Sequence, residues 1–173
     1  MSKVGPESRS FLPIEMEDLV RILEIARQDR KIFFEEHPQW GRFYEERVLG
    51  VALCQGAANH YLDGITGIND FDVYTFYHKH PHKNWYAKRI KSYDLGDGKF
   101  GTSVDKPDYV GRRVDCLSRS IEVIEGEEIK TALQRYLSEG KTKTAQLLSK
   151  KAVILLEPDC GEVIWLISAH PKT

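Results

Sequence analysis

Apolar residues first fall into step at Met16, Leu19, Val20, Leu23 and Ala26, the i, i+3, i+4, i+7 and i+10 positions that share one face of a helix. Pro13 suits the approach to a helix start. His37-Pro38 supplies a stop, because a residue before proline is pushed away from helical backbone. The pattern predicts an amphipathic helix from Glu15 to about Glu36, with a packing role. The chain before it, residues 1–10, reads as a loose polar tail. Residues 39–46 lead into Arg47–Cys54, an apolar run expected as a buried strand, with helix an alternative over 42–54 because short apolar runs do not fix their own period.

Beyond Cys54 the signals alternate. Gly56 to Gly64 reads as a turn and short helix, Gly64 to Gly67 as a loop, and Gly67 to Tyr77 as a strand rich in aromatic and β-branched residues. His78 to Tyr109 is irregular, basic and aromatic, with a turn at Asp94–Gly98 in which Asp94 and Asp97 are turn acids. Val110 to Val123 gives another strand. Ile129, Ala132, Leu133, Tyr136 and Leu137 share a face within a helix expected over Glu127–Glu139, and Gly140 marks its end. A short helix over Lys143–Ser149 follows. Strands over Ala152–Leu156 and Glu162–Ile167 close the chain, joined by Pro158-Asp159-Cys160-Gly161. The order predicts an α+β fold, a mixed β-sheet with helices packed against it and a long N-terminal helix, forming one domain over 11–173.

Composition narrows the function classes modestly. The chain has 173 residues, 41% apolar and 29% charged, with a formal net charge of −1. That balance gives no whole-chain reason to bind nucleic acid or an anionic membrane. No apolar run approaches the roughly 20 residues of a spanning helix, and the first residues lack the apolar core of a signal peptide. Cys54, Cys116 and Cys160 are odd in number and widely spaced, which suits buried thiols in a reducing cytoplasm better than a disulfide framework or a catalytic cysteine.

The candidate chemistry lies in three acids. Asp70 and Asp72 flank Phe71 in one strand-like run, so both carboxylates leave the same face while Phe71 and Val73 leave the other. Two such carboxylates repel unless a cation lies between them. If the strand carrying Asp115 lies beside the first, at about 4.8 Å, all three converge on one point suited to Mg²⁺. A solvated face with isolated acids is the plainer reading, but the strand from Phe71 to Tyr77 is otherwise almost wholly apolar or aromatic.

Gly56-Ala57, twelve intervening residues, Asp70-Phe71-Asp72-Val73, and a later strand with Asp115 between apolar neighbours form a combined pattern. It resembles the nucleotidyltransferase fold of the polymerase-β-like superfamily, as a small stand-alone member, over residues 47–120. The resemblance implies that Asp70, Asp72 and Asp115 are catalytic and metal-binding, holding two Mg²⁺ ions about 3.5–4 Å apart. It implies a nucleoside triphosphate such as ATP as substrate, with Gly56 and Ala57 offering backbone N–H groups to the triphosphate and pyrophosphate leaving as an acceptor hydroxyl attacks the α-phosphate. Asp115 would assist proton removal from that hydroxyl. Ala57 departs from the family's Gly or Ser and supplies only its backbone N–H. By strand parity Arg113 shares the face of Asp115, where it pairs with that acid or contacts a phosphate.

Two further runs carry plainer alternatives. His78, His80 and His82 alternate as zinc ligands can, but Pro81 marks the end of a strand and a solvated loop is the favoured reading, ahead of phosphate or acceptor binding and of a metal role. Lys79, Lys83, Lys88, Arg89 and Lys91 interleave with Trp85, Tyr86 and Tyr93, a mixture that can grip phosphates and stack bases or form an ordinary surface with its aromatics tucked in. The expected function is metal-dependent transfer of a nucleotide to a protein, RNA or small-molecule hydroxyl. A non-catalytic relative binding nucleotide, nucleic acid or a protein partner is the alternative, and a metal-dependent nuclease the third.

Overall fold

The structure, a computed structural model, describes residues 9–85 and 89–167. Helix α1 spans Met16–Glu36 and ends before Pro38, as its periodicity predicts. Leu19, Leu23 and Ala26 are buried beneath it with Ile22, Ile25, Phe33 and Phe34, whereas Met16 and Val20 stay about half exposed at the stripe's edge. A short helix, α2 (Pro38–Tyr44), occupies part of the stretch read as a lead-in. Strand β1 is Val48–Cys54, so the strand reading holds there and the helical alternative applies only to the residues before it.

Helix α3 (Gln55–Asp63) follows β1 directly and closes at Gly64, whose φ of 67° is the left-handed backbone that glycine adopts freely. Strand β2 is Phe71–His78, later than the predicted start at Gly67. Asp70 therefore sits on the residue before the strand. Strand β3 (Lys91–Asp94) lies within the stretch read as irregular. It has a single aromatic and no alternation of apolar residues, so pattern alone misses it. Strand β4 is Arg113–Ile121, shorter at both ends than predicted. Helices α4 (Ile129–Glu139) and α5 (Lys143–Leu148), then strands β5 (Val153–Glu157) and β6 (Val163–Trp165), complete the chain.

The six strands form one mixed sheet in the order β3-β4-β2-β1-β5-β6. Neighbours run antiparallel except β2 and β4, which run parallel in a register pairing Asp72 with Asp115. Alternation gives each face its own core. Phe71, Val73, Val114 and Cys116 pack with α1 and α3 residues such as Ile22 and Ala58. Tyr74 and Phe76 pack on the opposite face with Leu133 and Leu137 of α4 and Leu148 of α5. Asp72 and Asp115 share the α4/α5 face by parity.

A third, aromatic cluster joins Phe33, Phe34, Tyr44, Tyr77 and Trp85 at the far end of α1. At the start of the chain, Ser10 exchanges backbone hydrogen bonds with Ile68 at 2.9 and 2.8 Å. The expected loose tail thus gives way by residue 10 to a fixed contact, while residues 1–8 lie outside the described residues. Among the described residues no helix is long and apolar enough to cross a membrane.

Candidate metal centre

Carboxylate oxygens of Asp70, Asp72 and Asp115 lie within 4.8 Å of one another. Two features of the chain bring them together. The parallel register sets Asp72 directly beside Asp115, and the junction before β2 turns Asp70 toward the same side. That junction is well fastened. The Asn69 carbonyl accepts from Arg112 Nη1 at 3.2 Å and from Ser103 Oγ at 3.4 Å, and Ser103 Oγ accepts the Arg113 N–H at 2.9 Å. The buried Arg112 also donates from Nε to the Phe100 carbonyl at 2.7 Å. Asp94 takes the N–H groups of Val110 and Gly111 on its carboxylate and fixes the approach to β4, so the expected turn acid also positions the site.

The electrostatics of the cluster follow from crowding and burial. Burial pushes the Asp72 carboxyl up to about 7; the charges of Asp70 and Asp115 push in the same direction, and Arg113 and Lys151 offset part of the rise. Burial raises Asp70 as well, opposed chiefly by Arg113. Asp115 is 9% exposed and accepts a hydrogen bond on Oδ1 from Ser92 Oγ at 2.7 Å. Ser92 lies opposite Asp115 in the β3–β4 register. The sequence reading missed it because it missed β3. It also missed Asp105, whose carboxylate meets Arg113 Nη1.

Arg113 does share the face of Asp115. Its Nη2 donates to Asp70 Oδ2 at 2.5 Å, and its Nε lies 3.1 Å from Asp115 Oδ1 as an ion pair without a hydrogen bond. The guanidinium is therefore engaged by acids on several sides, and the expected pairing with Asp115 is among these contacts. Three carboxylates against one guanidinium leave a negative excess, and an all-oxygen donor set of this kind suits a hard divalent cation such as Mg²⁺.

Beside the acids, α3 begins one residue after Cys54, which pairs with Asp72 across β1 and β2. The N-cap residue Cys54 makes no side-chain cap to that helix start, whose first N–H groups include those of Gly56 and Ala57. Gln55 makes the strand-to-helix turn with φ of 66°, a left-handed conformation uncommon outside glycine. A Cβ placed on Gly56 would meet only Thr66 Cγ2, at 4.0 Å, so packing does not require glycine there. Ala57 is buried in the core under α1 and offers no more than its backbone.

The remaining expectations resolve into structural roles. Arg89 makes a bidentate pair with Asp29 of α1 at 2.9 and 2.8 Å, and Tyr93 O–H donates to the same carboxylate at 2.5 Å. Trp85 is buried among aromatics and Lys83 lies 4.6 Å over the Trp40 ring. Half the basic-aromatic run is thus spent on packing; Tyr86 and Lys88 lie outside the described residues. His80 Nδ1 accepts the His82 N–H at 3.0 Å, and among the described residues the acids above form the one group of metal-capable side chains brought together. A surface cleft of about 650 Å³, lined by Phe34, Arg42, Arg47 and His80, opens near the other end of β2, so cleft and acids do not coincide. The three cysteines are free thiols, and burial raises all of them, Cys54 with help from the Asp72 charge. Raised thiols are poor nucleophiles.

No family model matches the chain, and comparisons with curated proteins and with solved structures likewise return no match.

Proposed function

We propose that the chain is a metal-dependent nucleotidyltransferase that moves a nucleoside monophosphate from a triphosphate to an acceptor hydroxyl. The observation that carries this reading is the convergence within 4.8 Å of Asp72 and Asp115, from two parallel-paired strands, and Asp70, on the residue before β2, beside a helix start that its N-cap side chain leaves uncapped. Asp70, Asp72 and Asp115 would hold Mg²⁺, which supplies charge neutralisation for the phosphates and activation of the acceptor hydroxyl. Asp72, on the strand and crowded by both other acids, is the ligand for which a bound cation relieves most repulsion. Asp115, which accepts the Ser92 hydroxyl, would take the acceptor's proton. The N–H groups at Gly56 and Ala57 would receive phosphate oxygens, and the open space over Gly56 lets them approach. A cytoplasmic setting belongs to the same proposal, since the three thiols are unpaired.

A second reading is favoured by one observation. Arg113 already neutralises part of the triad, as suits a nucleotidyltransferase-like domain that binds nucleotide, nucleic acid or a protein without catalysis. Thermal unfolding with each nucleoside triphosphate, with and without Mg²⁺, on wild type and Asp72→Asn separates these readings from error. A ligand that binds the native state raises the melting temperature. The proposal expects a Mg²⁺-dependent rise in wild type that Asp72→Asn loses. A rise that needs no Mg²⁺ supports the second reading, and no rise with any triphosphate refutes nucleotide binding altogether.

A further inference from the structure

His60 is a buried histidine that the proposed reaction does not use. It lies on α3 with 2% of its surface exposed. Both ring nitrogens face backbone carbonyls: Nδ1 lies 2.5 Å from the Thr66 oxygen and Nε2 lies 2.7 Å from the Leu12 oxygen. A carbonyl only accepts, and a neutral imidazole donates from one nitrogen while the other presents a lone pair. In the neutral form one of these two short contacts therefore sets lone pair against lone pair. Only the doubly protonated ring donates to both oxygens.

The two carbonyls belong to different segments. Thr66 lies in the loop Gly64–Gly67 after α3, and Leu12 lies in a strap, residues 9–15, that leads into α1. Strap and loop are closely fitted. Ser10 and Ile68 exchange backbone hydrogen bonds, and a Cβ built on Gly67 would meet Arg9 Cβ at 2.9 Å and Phe11 Cζ at 3.0 Å. Among the charged groups nearby, Asp63 on α3 accepts the N–H groups of Ile65 and Thr66 at 2.8 and 3.0 Å, and its charge interacts with His60. Burial raises the Asp63 carboxyl, but the N–H groups of Thr66 and Ile65 outweigh that and hold it below its ordinary range, so it stays ionised while a histidine titrates. The strap brings Arg9, whose Nη1 donates to the Gly67 carbonyl at 3.5 Å, and Glu15, drawn to Lys99 at 3.2 Å. From α1, Asp18 is taken by Lys99 at 2.8 Å. The loop itself brings no ionisable side chain.

We propose that His60 is a proton-operated latch, whose doubly protonated ring fastens the strap to the loop and whose loss of one ring proton frees the strap. The inference is independent of the metal reading. The fastened form holds one more proton than the released form with its neutral ring, so closure is favoured at low pH and is lost as pH rises. Ile14, buried in the core, anchors the strap where it meets α1, so the opening is local and confined to the residues before it.

The test is nuclear magnetic resonance on the full chain from about pH 5 to about pH 9, a range that spans histidine titration. Nitrogen shifts of the His60 ring report its protonation state. Hydrogen exchange of the Ser10 and Ile68 amides, corrected for the intrinsic effect of pH, reports whether the strap is closed. Both ring nitrogens should be protonated wherever those amides are protected. Protection should fall at least about tenfold as the second ring proton leaves, the worth of one hydrogen bond from a charged donor. His60→Phe keeps a ring and donates to neither carbonyl, so it should lower protection at every pH and abolish the pH dependence. A neutral ring with both amides protected overturns the latch, as does protection that stays constant in wild type across the range. A fall of equal size in His60→Phe assigns the pH dependence to another group and also overturns it. If His60→Phe does not fold, the wild-type titration alone decides.

Discussion

Replacing Asp72 by asparagine should stabilise the metal-free protein, and more so as the pH rises. The carboxyl lies at about 7 in the folded chain because burial and two neighbouring acids disfavour its charge, against roughly 3.9 in an unfolded chain. Between those values the folded state binds more protons than the unfolded state, so stability falls as pH increases. This is the reverse of the usual salt-bridged aspartate. The full separation is roughly three units at about 1.4 kcal/mol each, or about 4 kcal/mol. Between pH 5 and pH 8 the share lost is roughly 2–3 kcal/mol, since part of it is already gone at pH 5. Asparagine keeps the shape and carries no charge, so it removes this loss. Urea unfolding in the presence of a chelator, at pH 5 and pH 8, reads the effect directly. The gain of Asp72→Asn over wild type should be larger at pH 8 by roughly 2–3 kcal/mol, or about 4–12 °C in melting temperature for a chain of this size. An equal gain at both pH values, or a variant less stable than wild type at pH 8, would refute the argument that repulsion and burial dominate at this carboxylate.

Gln55→Gly should stabilise the fold by about 0.5–1 kcal/mol, because glycine adopts the φ of 66° with little of the cost that a side chain incurs; a loss in a chemical melt would mean that the glutamine side chain has a role of its own. Gly56→Ala has room for its methyl group and should change stability by less than about 1 kcal/mol, yet lower triphosphate affinity in a titration, since the added carbon stands where phosphate oxygens would approach. Strong destabilisation would instead make that glycine a packing residue. Asp29→Ala strips the partner from a largely buried Arg89 and from Tyr93, and should destabilise by about 3–5 kcal/mol in the same melts. A change under 1 kcal/mol would show that this clamp is not needed to hold β3 near α1.

The parts of this molecule that could be read ahead were those governed by local period. The α1 stripe, the α4 face with Gly140, the closing strand pair and the parity of Asp72, Asp115 and Arg113 all follow from side-chain direction along one element. The missed parts depend on partners distant in sequence. Lys91–Asp94 becomes a strand because β4 offers an edge and because Tyr93 finds Asp29 on α1. Ser92 and Asp105 have no local signature, since each is defined by what faces it. The aromatic and β-branched run to Tyr77 predicts Asp70 inside the strand, yet the carbonyl of Asn69 is taken by Arg112 and Ser103 instead of a neighbouring strand. Arg113 was correctly put on the acid face, but parity could not say how many acids would claim it.

The parallel pairing of β2 with β4 has a kinetic consequence. Asp72 and Asp115 are neighbours in space although a long crossover containing β3 separates them along the chain. Closing such a loop is slow relative to forming a hairpin, because its entropy is lost before the contact returns anything. Until that closure the emerging chain carries Asp70 and Asp72 as an unassisted pair, with neither the third acid nor the arginine beside them. Their mutual repulsion with Asp115 is therefore imposed only when β4 docks beside β2. Under the proposed metal-centre reading, cation uptake would report that the two strands have met, and following it during refolding would time that meeting separately from the growth of helix.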